Sequence, residues 1–299
     1  MYKKPTINSK DFHAASKKMR EFFEGKGFIE AATQPRLSIL AACEDPTTVS
    51  SFEYSGQVWP LKQTGQMDLE YELLTNHDYP GVFCQTTSYR QEKNPIPGRH
   101  DLIFPMFEFE AKGTMEDMIK LEKELLEHMG FSTEKYHKSK DQDSNDYVEY
   151  DYLELSEIMG VKEFEAEHED KMGEEIAPAV FLKNFPEYTS PFWNMKRNDQ
   201  GTANKVDVIL YGIETIGSAE RECDPEIMMD RFHKISDGEY AQLLFNLFGK
   251  ERVMQEMEDF LNLPMIPRFG GGIGMTRMIR AMKLAEQENQ DKQNIKKVV

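Results

Sequence analysis

Two strand-like runs, one opening at Gly81 and the other ending at Glu110, are separated by a loop carrying Pro95, Pro97 and Gly98. Together they read as an antiparallel hairpin with a long connection. Side chains alternate along a strand. In the second run Phe104, Met106, Glu108 and Glu110 therefore share one face, while Ile103, Phe107 and Phe109 take the other. In the first run Arg90 and Glu92 fall on a common face. One side of the hairpin is apolar and needs cover from other elements. The opposite side carries an arginine, three glutamates and a phenylalanine, with Arg99 and His100 in the loop. A merely solvated sheet face shows the same alternation, so the hairpin alone leaves site and surface both open.

The rest of the chain offers the cover. Ser9–Lys26 reads as an amphipathic helix, with Phe12, Ala15, Met19, Phe22 and Phe23 at helical spacing and Gly25 and Gly27 to stop it. The stretch from Gly27 through Ile39 looks extended, with Pro35 suggesting an edge or a strand end. Thr114 to Asp117 is a capping box opening a helix through Met118, Leu121, Leu125 and Met129 that stops at Gly130. The acidic stretch 138–175 reads as surface segments with a short helix around Leu153–Met159. VFLKNFP and VDVILYGIETIG are strand-like, and Ala241–Leu261 is largely helical. Strands with helices inserted between them predict an α+β fold, an antiparallel sheet flanked by helices. No repeat or linker divides residues 1–299, so a single domain is expected.

Composition narrows the function. A net charge of −17, from 53 acids against 36 bases, disfavours nonspecific adhesion to nucleic acid. No apolar run reaches membrane-spanning length, and MYKKPTINSKDF lacks a signal-peptide core. Cys43, Cys84 and Cys223 have no paired metal spacing, which suits reduced thiols in a cytoplasmic protein.

In VDVILYGIETIG, a two-residue turn at Tyr211-Gly212 sets Leu210 opposite Ile213 and Ile209 opposite Glu214. Asp207 then shares a face with Ile209 and lies diagonally from Glu214. Two carboxylates this close either sit apart in solvent or share a cation, and oxygen-only ligands suit Mg²⁺ bridged to phosphates. RFGGGIGMTR, ending at Arg277, is either a tight packing contact or a place where a ligand lies on backbone. It fits neither a P-loop nor a dinucleotide fingerprint. Arginines for phosphates, a phenylalanine for a base, acids for Mg²⁺ and glycines for close approach add up to a nucleotide site on an antiparallel sheet.

With these motifs in hand, the chain resembles the class II aminoacyl-tRNA synthetase catalytic core, nearest the asparaginyl branch with the aspartyl branch behind it. YRQE with RHDLIFPMFEFE resembles the family's second signature and GGGIGMTR its third. The Ser9–Lys26 helix stands where the first belongs. CED at Cys43–Asp45, QTGQM at Gln63–Met67, VFLKNFP and IETIGSAERE follow in matching order.

The resemblance implies an ATP and Mg²⁺ enzyme that forms an aminoacyl-adenylate. Arg90 would hold the α-phosphate and Glu92 contact the adenine. Phe104 and Arg277 would sandwich the base, with Gly272 and Gly274 beneath the nucleotide. Arg99 with His100 would reach the γ-phosphate. Asp207 and Glu214 would carry Mg²⁺. Glu44, Gln66 and Glu108 would surround the amino acid's ammonium, and Arg221 would read its side chain.

Leu69 stands where aspartyl enzymes carry a lysine, which favours an uncharged side chain. No segment resembles an anticodon-binding domain. The expected substrate is aspartate, asparagine or a close analogue, passed to ammonia or a small amine as in freestanding asparagine synthetases. The alternatives are a tRNA ligase working without an anticodon domain and a non-catalytic regulatory paralogue. A homodimer through the first-signature region is expected.

Overall fold

The computed structural model describes residues 7–34, 37–39, 48–133 and 146–298. Helix α1 (Ser9–Gly25) is capped by the Asn8 carbonyl oxygen, which accepts from Lys10 and Asp11 N–H groups. Strand β1 (Ile29–Glu30) follows, then the small hairpin β2 (Ser51–Tyr54) and β3 (Gln57–Pro60), then α2 (Gln66–Thr75). The long hairpin of the sequence forms as β4 (Gly81–Tyr89) and β5 (Ile103–Lys112). Helix α3 (Met115–Met129) opens on the expected box. The Asp117 carboxylate accepts the Thr114 N–H at 3.0 Å, and Gly130 closes the helix in the left-handed region.

Strand β6 (Val148–Asp151), α4 (Tyr152–Met159), α5 (Ala166–Lys171) and a π-turn at Met172–Ile176 lead to β7 (Ala179–Phe185). Strands β8 (Ala203–Leu210) and β9 (Ile213–Glu220) are joined at Tyr211-Gly212, both with positive φ as a two-residue hairpin turn requires. Helices α6 (Pro225–Lys234), α7 (Glu239–Phe248) and α8 (Lys250–Leu261) follow. The chain described ends with the glycine strand β10 (Arg268–Gly274) running straight into α9 (Met275–Val298).

Among the described residues, eight strands form one sheet in the order β1-β4-β5-β10-β9-β8-β7-β6. The two outermost pairings are parallel and the five between them antiparallel. The apolar face of the hairpin, Phe83, Phe107 and Phe109, stacks on Phe23 of α1 with ring centroids 5.3–5.8 Å apart. Side chains of α3 and α9 complete this core, with Met118, Leu125, Met278 and Ala281 fully covered. A second core gathers α6, α7 and α8 around Trp193. The other face of the central strands stays open as a hollow. No described helix is long and apolar enough to cross a membrane.

The described part of the acidic stretch holds the expected short helix as α4 and adds more than surface segments. It supplies the edge strand β6 and packs α5 and the π-turn onto the β8–β9 turn, where Gly212 lies directly against Asp170. Residues 134–145, Pro35 and Cys43 lie outside the described residues.

Candidate active site

The hollow is a cavity of about 340 Å³. Its floor is the polar face of the central strands. From β5 come Phe104, Met106 and Glu108, from β10 Gly270, Gly272 and Gly274, from β9 Gly217 and Ala219, and from β8 Lys205 and Asp207. Arg90, Glu92, Arg99 and His100 close one end, Glu214 and Arg277 border it, and Gln66 and Arg221 line its deep end. Residues expected from separate motifs thus meet in one place. Glu44 lies outside the described residues.

Geometry revises several of the expected positions. Strand β4 ends at Tyr89, so Glu92 is a loop residue and not a strand neighbour of Arg90. Arg90 keeps the strand register through its own N–H, which donates to Leu102 O at 2.8 Å. Its guanidinium stands 5.7 Å over the Phe104 ring, and its buried Nε finds no acceptor among the described residues. Buried Nδ1 of His100 likewise has no hydrogen-bond partner among the described residues, whichever ring nitrogen carries the proton. Polar groups left this way beside a cavity mark where a partner is to arrive.

Arg99 lines the hollow, but its guanidinium is turned to acidic partners at the rim. Glu169 holds its Nη2 at 2.6 Å, Asp170 holds Nη1 at 2.7 Å, and Gly212 O accepts at 3.0 Å. The acidic stretch outcompetes the cavity for it, and a phosphate would have to draw it away. Arg277 donates to Glu214 O at 2.6 Å and Arg99 O at 3.1 Å, tying the glycine strand's helix to both rims.

Asp207 and Glu214 do converge, with both expected pairs in place and a register shift just beyond them. Pairing runs Leu210–Ile213 and Ile209–Glu214, then shifts to Val208–Ile216 and Asp207–Gly217. The extra residue, Thr215, is a bulge in β9. Both carboxylates arch over Gly217. A Cβ there would sit 3.0 Å from Glu214 Oε1 and 3.6 Å from Asp207 Oδ1. No described group gathers three or more acidic, histidine or cysteine ligands. Two carboxylates with open space above them fit Mg²⁺ that takes its other ligands from phosphates and water.

Behind the deep end, meeting the cavity through Arg221, lies an ion network the sequence did not reveal. Glu110 accepts from Arg221 Nε at 3.1 Å and Nη2 at 3.2 Å. Glu70 accepts from Arg268 Nε at 3.0 Å and Nη2 at 2.6 Å, and from Asn194 Nδ2 at 2.7 Å. Arg221 and Glu70 lie 3.8 Å apart, which joins the two pairs. All four ions are nearly inaccessible, and their charges cancel. Burial pushes the Glu110 carboxyl up, against the pull of Arg221. Gln66 and Glu108, expected at the ammonium, are engaged otherwise. Gln66 donates to Phe109 O and Glu110, while Glu108 accepts from Gly65 N–H and the hydroxyls of Thr64 and Thr86.

The glycine run owes its first member to this network. A Cβ on Gly270 would fall 1.7 Å from Glu110 Oε2 and 2.4 Å from Gln66 Nε2. Gly270→Ala should therefore displace a buried, matched carboxylate and lower stability by about 2–4 kcal/mol. A thermal melt would record this as a drop of several degrees. An unchanged melting temperature would mean that the network relaxes without cost.

Lys205 and Glu110 are among the residues that escaped the sequence reading. Lys205 was two positions from Asp207, on the face that period-two alternation assigns to both. Glu110 was assigned its face but not its partner, because Arg221 lies 111 residues away.

A family profile described as tRNA synthetases class II (D, K and N) matches residues 5–297. The asparagine–tRNA ligase of Pelotomaculum thermopropionicum is 25% identical over 291 residues, covering 87% of this chain and 62% of the relative. The aspartate–tRNA(Asp/Asn) ligase of Methanopyrus kandleri is 24% identical over 286 residues, covering 90% and 62%. This chain thus spans less than two thirds of either relative. Among solved structures, asparaginyl-tRNA synthetase from Pyrococcus horikoshii with asparaginyl-adenylate superposes at a TM-score of 0.72 and 20% identity. That match covers 92% of this chain and 65% of the other. Aspartyl-tRNA synthetase from Entamoeba histolytica gives 0.66 at 18% identity, covering 91% and 54%. Those likenesses carry the fold.

Proposed function

The chain belongs to the class II tRNA synthetases (D, K and N), and from that membership and the cavity we propose that it uses ATP to activate asparagine as an adenylate. The observation that carries the choice of amino acid is the pairing of Arg221 with Glu110. An aspartate side chain would bring a third carboxylate to a set whose charges already cancel, with Leu69 supplying no cation. An amide can accept from the guanidinium and donate to a carboxylate, adding no charge. A site built to hydrogen-bond both ends of a group rejects an analogue that leaves one end unmatched.

In the proposed reaction the amino acid's carboxylate attacks the α-phosphorus of ATP. The bond to the bridging oxygen breaks and pyrophosphate leaves. Arg90 stabilises the negative charge on the α-phosphate as that bond changes. Phe104 and Arg277 hold the adenine by stacking, Glu92 contacts it, and His100 with a released Arg99 meets the γ-phosphate. Bound Mg²⁺, held by Asp207 and Glu214, would neutralise phosphate charge. If asparagine is the amino acid activated, ammonia is no longer the natural acceptor, since the amide is already present. A tRNA hydroxyl then becomes the favoured acceptor, and the acidic surface restricts it to local contacts.

The test is ATP–pyrophosphate exchange with each of the twenty amino acids and no tRNA. Exchange driven by asparagine, with aspartate weaker by about 10³-fold or more, is the expected result. A Glu110→Gln variant should narrow that gap, because Arg221 then lacks its counter-charge. Exchange driven by aspartate alone would overturn the charge argument and return ammonia as acceptor. Nucleotide binding with no exchange for any amino acid would leave a regulatory paralogue.

A further inference from the structure

Lys205 brings a cation to the carboxylate expected to carry metal. Its Nζ lies 3.2 Å from Asp207 Oδ2 and 4.2 Å from the centroid of the Phe185 ring, and its side chain is 13% exposed. Alternation along β8 aims Lys205 and Asp207 at the same hollow, where both line the cavity with Arg90 and Arg277. Directly across on β9 stand Ala219 and Gly217. Neither has a side chain long enough to cover them, so the space above the ammonium is open to a ligand.

Phe185 packs beneath the ammonium, and its ring face attracts the cation at that spot. A partly buried ammonium beside the Asp207 carboxylate and lining a polar cavity is a point charge for an oxyanion. We propose that Lys205 is a phosphate-contacting catalytic residue. Its ammonium meets the β- and γ-phosphates of ATP, and the pyrophosphate that leaves, while still bridged to Asp207. In the unliganded protein the same ammonium competes with divalent cations for Asp207. This rests on the reading of the cavity as an ATP site.

Two opposite effects of one substitution test it. Affinity for ATP and for pyrophosphate is measured by calorimetry on the full chain, with Mg²⁺ and again in excess EDTA. Mn²⁺ binding without nucleotide is followed by electron paramagnetic resonance. Lys205→Met keeps an unbranched chain against Phe185, and Lys205→Arg keeps the charge. In EDTA the methionine variant should bind ATP at least about tenfold more weakly than wild type, while the arginine variant stays within about threefold. Mn²⁺ affinity of the methionine variant should rise.

Unchanged ATP affinity in EDTA, or Mn²⁺ affinity that stays level or falls, would make Lys205 a structural partner of Asp207 and overturn the proposal. Should the methionine variant fail to fold, Lys205→Gln is judged by the same two readouts. A wild-type chain that binds no ATP even with Mg²⁺ would remove the ATP-site reading itself. Wild-type binding with an indifferent Lys205→Met removes this proposal alone.

Discussion

Arg90→Ala should abolish asparagine-dependent pyrophosphate exchange, by about 10²–10³-fold or more in kcat, while leaving the fold intact. Among the described residues the side chain makes no buried ion pair whose loss would destabilise the protein. Its described contacts are the Phe104 ring face at 5.7 Å and the open cavity, and its Nε is a buried donor with no acceptor. Such a donor has a cost in the unliganded state that an arriving phosphate oxygen offsets. Removing it takes away a charge aimed at where charge develops, so the loss belongs in kcat and not in KM for the amino acid. A melting temperature near that of wild type must accompany the result. Exchange persisting within about tenfold of wild type would mean that the phosphates lie elsewhere in the cavity, and the site would have to be redrawn around Arg277 and Lys205.

What the sequence made legible follows the reach of each physical rule. The α3 capping box, its Gly130 stop and the Tyr211-Gly212 turn depend on contacts three or four residues apart, and all three appear where expected. Alternation in β5 sorted Phe107 and Phe109 into the core and Phe104 and Glu108 toward the cavity. The reading failed where one residue breaks a period. The bulge at Thr215 moves Asp207 from Ile216 to Gly217, and nothing in the local sequence announces it. It failed again where a partner is remote. Arg99 is held from 70 residues away and Glu70 pairs across 198, distances at which propensity and spacing are silent. An arginine in a motif says that an anion is near, and only the fold says which anion holds it first.

The same remoteness hid a proton-linked residue beneath the sheet. Glu122, on the buried side of α3, is fully inaccessible, and neither carboxylate oxygen finds a hydrogen-bond partner among the described residues. Burial pushes its carboxyl up to about 8, from an ordinary 4.5. Ser218 opposes the shift, but its hydroxyl donates to Val206 O at 3.2 Å. The sign follows directly. Between pH 4.5 and about 8 the folded chain holds a proton that the unfolded chain releases. Stability from this residue is therefore full below pH 4.5 and declines as pH rises, losing about 4–5 kcal/mol by pH 8.

Glu122→Gln and Glu122→Met remove the proton and keep the bulk. Their melting temperatures relative to wild type should climb by several degrees between pH 6 and pH 8.5. Other buried carboxyls, Glu110 among them, titrate in the same direction and cancel in the difference. A variant-to-wild-type difference that stays flat across that range would show Glu122 already ionised, stabilised by a partner beneath the sheet. A rising difference would make the apolar layer under Ser218 a determinant of the pH range in which the central strands hold their register.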